Sequence, residues 1–306
     1  MVALAGCGGG GPARATTAAP RAPAPRPAAA ALCGPLRAAV EGRIAAAAAT
    51  ELSGLAPSRT QPGVLWTHND SGDRARILAV TPRGRLLADV TVTGARNVDW
   101  EEIAPGPAPG GGHALYIADI GDNDARRRVV VYRVPEPGVD GAGGPGASVP
   151  AVRLALRYPD GAHDAEALLV DPAGGALVVV TKSFGGDAGV YAAGRPSAAA
   201  TTFLRRRGRL SLGAGAAVTG GSVAADGRTI VLRTYDRALV WTRRGREPLE
   251  AALRRHPCTA RADLLAEGQG EAIALTGDGR AFYTVPEGRR PAMRRYARVG
   301  ASALHN

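Results

Sequence analysis

The chain has one lysine, Lys182, although it carries 38 basic residues among 306 and a formal net charge of +11. Arginine supplies the rest of the positive charge, scattered through positions such as Arg126 to Arg128, Arg205 to Arg207, and Arg289 with Arg290. Proteins that bind single-stranded nucleic acid interleave basic groups with stacking aromatics. Aromatics here are only 4% of the chain, which argues against a nucleic-acid partner despite the charge. The excess of Ala, Gly, Arg and Pro reads as the codon bias of a GC-rich genome, with Arg filling solvated loops and outer strand faces. Long apolar runs are also missing. The 45% of hydrophobic residues come in short stretches, and none approaches the ~20 residues a helix needs to span a bilayer. No Gly-x-Ser-x-Gly elbow and no His-Glu-x-x-His occur, which removes the commonest hydrolase and zinc-protease signatures. The run Gly8 to Gly11 has no Walker lysine after it, so it is not a phosphate loop. His113, His256 and His305 lack metal-ligand spacing, whereas His163 adjoins Asp164.

The three cysteines divide by context. Cys7 ends Leu4-Ala5-Gly6-Cys7, the pattern after which a bacterial lipoprotein signal peptidase leaves a lipid-bearing cysteine. The Gly/Ala/Pro-rich stretch 8–32 has no periodicity and reads as a disordered tether. Residues 1–7 then are the remnant of a lipoprotein signal peptide. The basic start and longer apolar stretch of a complete signal peptide are absent, so the true start lies upstream or the N-terminus was trimmed. The expected location is the outer face of the bacterial cell membrane, held by lipid on Cys7. Export permits Cys33 and Cys258 to form a disulfide.

From Leu52 onward, short β-type runs alternate with Gly, Pro, Asp and Asn turns, the signature of a sandwich, barrel or propeller. An internal repeat decides among these. An element of the form acidic-x-small/acidic-x-apolar-apolar recurs as Glu51-Leu-Ser-Gly-Leu-Ala56, Asp99-Trp-Glu-Glu-Ile-Ala104 and Asp164-Ala-Glu-Ala-Leu-Leu169. It returns as Thr219-Gly-Gly-Ser-Val-Ala224 and Gln269-Gly-Glu-Ala-Ile-Ala274. Each copy is followed by a second apolar run, and the interval fits one four-stranded blade with its loops. The expected fold is therefore all-β: a single propeller over residues 33–306 with about five blades, six being the alternative. A strand near Leu36 to Ile44 should complete the last blade and leave no open edge. The one helix expected is Pro248 to His256, an insertion in blade four. Trp66, Trp100 and Trp241 read as packing between blades, with Trp100 the most apt to reach the mouth.

If the repeat element begins the innermost strand, its first residues lie at one face of the disc. The next strand returns antiparallel and ends at that same face. Glu51, Asp99, Glu101, Asp164, Glu166 and Glu271 then meet at one mouth, as candidate metal ligands. Asp99 with Glu101, and Asp164 with Glu166, are i,i+2 pairs that face one way on a strand. Crowded carboxylates call for a cation, and all-oxygen donors suit Ca²⁺, or Mg²⁺ as the alternative, better than zinc. The alternative for Asp70, Asp73 and Asp122 is turn-capping in Gly-containing loops. The returning ends also bring Lys182, Arg233, Tyr235 and Glu287 to this face.

The segments Glu51-Leu-Ser-Gly-Leu55, Leu65-Trp-Thr-His-Asn-Asp-Ser-Gly-Asp73, Asp99-Trp-Glu-Glu-Ile-Ala104 and Leu115-Tyr-Ile-Ala-Asp-Ile-Gly-Asp-Asn123 resemble secreted bacterial β-propellers related to the phytase-like propellers. The resemblance is specific in the first two blades and loose beyond them. It implies an acidic calcium mouth built on Asp99, Glu101, Asp164, Glu166 and Glu271. Blade four departs from it, since Thr219-Gly-Gly has no carboxylate. Two functions follow as expectations. The first is a monomeric, lipid-anchored envelope module that binds a protein, a glycan or a small anionic ligand. The second is a metal-dependent hydrolase of phosphate or other esters, with Glu101 or Glu166 as base and Lys182 and Arg233 holding the anion.

Overall fold

The short apolar runs hydrogen-bond into five separate sheets, as seen in a computed structural model that describes residues 1–2, 28–122, 125–139 and 147–298. Each sheet is one propeller blade. The innermost strands are Leu52–Pro57, Trp100–Pro107, Ala165–Val170, Val218–Val223 and Gly270–Leu275. They pack side by side in a closed ring about the axis. These strands are buried on both faces, whereas an outer strand such as Leu86–Thr93 alternates buried and exposed positions. Close approach at the axis demands small residues. A Cβ on Gly54 would lie 2.5 Å from the backbone nitrogen of Ile103, and one on Gly220 would lie 2.5 Å from the carbonyl oxygen of Glu271.

Blade five is completed by the N-terminal strand Leu36–Arg43, which pairs antiparallel with Ala292–Arg298. The expected closure is thus present. A second device seals the rim. Before the outer strands of blades two, three and five the chain reaches back to the previous blade's edge: Ser148–Pro150 pairs parallel with Leu86–Thr93, and Thr202–Phe203 pairs parallel with Val152–Arg157. Pro35 makes the corresponding parallel bridge to Arg261, beside blade four. These additions cover edges that would otherwise invite pairing with another chain. At that last seam Cys33 and Cys258 form a disulfide.

Three expectations shift. Residues 28–32 do not continue the tether but form the helix Ala28–Leu32, whose Ala29 and Leu32 pack on Val231, Phe282 and Tyr296. A run of alanines is a strong helix former, and two apolar residues three apart give it one face to bury. Cys7, the lipobox and residues 8–27 lie outside the described residues. The blade-four insertion is helical over Leu249–Leu253, with Pro248 at its N-cap. Trp100 is fully buried between blades one and two, against His68 and Tyr132, and does not line the mouth. Among the described residues, no helix is long and apolar enough to cross a membrane.

Candidate functional site

The five innermost strands share one irregularity. Their register with the second strand slips between Leu52 and Leu55, Trp100 and Glu102, Ala165 and Ala167, Val218 and Gly220, and Gly270 and Ala272. Such a bulge re-aims the side chain at the extra residue. The residues so placed are Ser53, Glu101, Glu166, Thr219 and Glu271. Glu101, Glu166 and Glu271 line the central mouth. The two hydroxyls instead tie blades together: Ser53 Oγ donates to the Glu101 carbonyl at 2.7 Å, and Thr219 Oγ1 to the Gly270 carbonyl at 3.1 Å. Blade four therefore aligns Thr219 with Glu101, not with Asp99 as the repeat suggested.

A second tier lies above. The backbone N–H groups of Asp70, Lys182 and Glu287 donate to the carbonyls of Glu51, Asp164 and Gln269, so in blades one, three and five the end of the second strand is clamped to the start of the first. Together the tiers enclose a cavity of about 380 Å³ lined by Asp70, Asp99, Glu101, Asp122, Asp164, Glu166, Lys182, Tyr235, Gln269, Glu271 and Glu287. Of the predicted ligands, Asp99, Glu101, Asp164, Glu166 and Glu271 come together here. Glu51 does not. Its side chain is exposed, its carbonyl accepts from Asp70, and Asp70 is the carboxylate that blade one brings to the mouth.

Arg233 is also absent from the mouth. It is fully buried, pairs with Glu267 at 2.8 Å and donates to the Ala272 carbonyl at 3.2 Å. Gly270 makes room for it, since a Cβ there would lie 1.6 Å from Nη2. Arg233 turns to the buried Glu267 instead, and Tyr235, just past the end of the strand Thr229–Thr234, is the blade-four side chain that lines the mouth. Lys182 does reach the mouth, but its ammonium pairs with Glu166 and lies 3.9 Å from Glu271. It also sits 6.0 Å from the Phe184 ring and 5.7 Å from the Tyr235 ring.

Below the ring of bulges, Glu102 crosses the channel. It accepts the N–H of Gly221, across the axis in blade four, at 2.7 Å and is fully buried. The adjacent-acid pair Glu101-Glu102 was its only sequence signal, and a regular strand would have sent the two to opposite faces. The bulge sends both inward. His68, equally buried, has no partner for Nε2, while Nδ1 lies 3.0 Å from the Asn69 carbonyl. Burial lowers its pKa to about 4, so the ring is neutral.

The mouth stores electrostatic strain. Burial, and then the neighbouring Glu166, Asp70 and Asp99, hold the Glu101 carboxyl well above its usual range. Burial and Glu166 push Glu271 up to about 9. Burial pushes Glu166 to about 7, even though Lys182 pulls it down, and burial with Asp99 and Glu287 takes Asp70 to about 6. Two groups of carboxylate oxygens lie within 4.8 Å of one another: Asp70, Asp99 and Glu101, and Glu101, Glu166 and Glu271.

No family model matches the chain, and no curated protein matches it. Among solved structures, it is similar to a "putative 6-phosphogluconolactonase" from Bacteroides uniformis, with a TM-score of 0.42 and 14% identity over 81% of this chain and 68% of that one. A chain of a mitotic checkpoint complex gives a TM-score of 0.39 and 13% identity, over 80% of this chain and 62% of that one. Likeness at this level carries no functional argument. What the chain's own strand pairing establishes is a five-bladed, all-β propeller with an acidic central mouth.

Proposed function

We propose that this propeller is an exported module of the bacterial cell envelope that holds a divalent cation, Ca²⁺ with Mg²⁺ as the alternative, in its central mouth. The cation orders the mouth, which then acts as a binding or structural unit toward an envelope protein or glycan. The observation that carries this reading is the convergence on Glu101 of two carboxylate triads, each with its oxygens within 4.8 Å. Ca²⁺ takes oxygen ligands at about 2.3–2.6 Å, so oxygens up to roughly 5 Å apart can share one ion. Every donor is a hard oxygen, which suits Ca²⁺ and not zinc. Glu166 Oε2 has no hydrogen-bond partner in a residue that is 3% exposed. A buried carboxylate oxygen in that condition is unfavourable, and positive charge brought into the mouth lessens the cost.

The Cys33–Cys258 disulfide supports export, and lipid on Cys7 would hold the protein at the membrane. With the native leader present, Cys7→Ser then releases the protein to the medium; unchanged membrane retention overturns the anchor. For the mouth, isothermal titration of metal-free protein with Ca²⁺ should show saturable binding that Glu101→Gln weakens at least tenfold. No heat at millimolar Ca²⁺ overturns the cation site.

One observation favours the second reading, an ester hydrolase of the phytase-like kind. Glu166, at about 7, is poised to exchange a proton near neutral pH. The metal would polarise the ester and acidify water. EDTA-sensitive turnover of phosphomonoesters or carboxyl esters, lost in Glu166→Gln, supports it; the absence of turnover with Ca²⁺ bound dismisses it.

A further inference from the structure

The two carboxylate triads that share Glu101 differ in what stands beside them. Asp70, Asp99 and Glu101 come from blades one and two, whose side chains at the mouth among the described residues are acidic. Glu101, Glu166 and Glu271 adjoin the Lys182 ammonium, which contacts Glu166 Oε1 and lies 3.9 Å from Glu271 Oε1. That ammonium is enclosed. Its side chain is 14% exposed, and the rings of Phe184 and Tyr235 lie at 6.0 and 5.7 Å, stacked on each other at 6.3 Å. Aromatic faces attract a cation and leave it few other positions. A metal ion seated on Glu166 would stand one ligand bond away from the oxygen that Lys182 holds, and a divalent ion repels an ammonium at that range.

We propose that Lys182 is the resident cation of this second triad: the wild-type mouth takes one divalent ion, at Asp70, Asp99 and Glu101, and the lysine excludes another from Glu101, Glu166 and Glu271. The triad is ready for an ion in every other respect. Its three carboxylates are set inward by three strand bulges, and the unpartnered Glu166 Oε2 is buried in it. Lysine is suited to the role, as a compact point charge able to replace an ion on a single oxygen. The flat, forked guanidinium of arginine spreads its charge over several nitrogens. In a chain that uses arginine at all other basic positions, that difference gives the one lysine a purpose. The inference rests on the cation-binding reading above and sets its stoichiometry.

Ca²⁺ titration calorimetry on the full chain tests it, with wild type, Lys182→Met and Lys182→Arg compared. Methionine keeps the apolar stem without the charge, and arginine keeps the charge. One ion is expected for wild type and for Lys182→Arg, and two for Lys182→Met. Because Lys182 is the only lysine, selective ¹⁵N-lysine labelling reports a single side-chain ammonium, whose resonance should survive Ca²⁺ saturation of the wild type. Two ions in the wild type, one in Lys182→Met, or loss of the ammonium resonance on adding Ca²⁺ overturns the inference and leaves the cation site standing. A wild type that binds no Ca²⁺ while Lys182→Met binds one removes native cation binding but keeps the lysine's role. No binding by either protein removes both.

Discussion

Raising the pH in the presence of a chelator should destabilise this protein, and Ca²⁺ should lessen the effect. Glu271 is 5% exposed, and burial with the nearby Glu166 and Glu287 pushes its pKa from 4.5 to about 9. In the unfolded chain it titrates near its ordinary value. Between those two values the folded state carries one proton more than the unfolded state, so stability falls with rising pH. The contribution is fully present below the unfolded pKa and is lost as pH climbs toward 9. His68 has the opposite sign. Its folded pKa is lowered to about 4 by burial, so it adds stability as pH rises from there to its unfolded value near 6.5. The window free of the opposing histidine is therefore about pH 6.5 to 8.5, where the raised Glu101 and Glu166 carboxyls act in the same direction as Glu271. One proton across two units amounts to roughly 3 kcal/mol, which at about 2–4 °C per kcal/mol for a domain near this size is a fall of roughly 5–10 °C in Tm. Circular-dichroism melts in EDTA should show at least that fall, and Glu271→Gln should make it shallower by removing one of the titrating groups. Ca²⁺ bound beside Glu101 should lessen it as well, because a nearby positive charge favours the ionised carboxylate. A Tm in EDTA that stays level from pH 6.5 to 8.5, or a slope that persists unchanged in Glu271→Gln, refutes the electrostatic account of the mouth.

Other perturbations test the frame around the site. Reducing Cys33–Cys258, or replacing Cys258 by Ser, removes a link between residues 225 apart. The chain-entropy model assigns such a loop about 5 kcal/mol, so chemical denaturation with and without reductant should show a large drop in midpoint. Removing Glu267 as Glu267→Ala strands the fully buried Arg233 guanidinium without its ion partner, at a cost of about 3–5 kcal/mol by urea unfolding. The double substitution Arg233→Met with Glu267→Leu should recover most of that loss, because a buried pair is replaced by apolar groups of similar size. Gly54→Ala drives a Cβ to 2.5 Å from the Ile103 backbone and should lower stability by about 1–3 kcal/mol, a value that thermal melts can check.

The fold was legible because propeller blades write themselves as a period. The recurring start of the innermost strand, followed by a returning apolar run, marks five units without any pairing information, and the N-terminal strand Leu36–Arg43 could be assigned to blade five by counting what that blade lacked. The site was legible only to the depth at which strands are regular. Counting in steps of two brought Asp99, Glu101, Asp164, Glu166 and Glu271 to one face, and all of them line the mouth. The same counting misplaced Glu51, misaligned Thr219 and gave no place to Glu102. Those three depend on a bulge and on the loop geometry at the strand start, and neither leaves a residue type that announces it. Glu101 and Glu102 show the consequence most plainly. Adjacent acids on a strand would be read as one inside and one outside, a cheap arrangement for charge. The bulge between Trp100 and Glu102 instead turns both toward the axis, where Glu101 joins the ring and Glu102 spans the channel to Gly221. Two carboxyls buried at neighbouring positions are tolerable only if something compensates them. For Glu102 that compensation is visible as backbone N–H donors. For Glu101 the one side-chain donor is Ser53 Oγ, at a long 3.5 Å, and the charged neighbours are further carboxylates; this contrast is the strongest physical reason for a cation in the mouth.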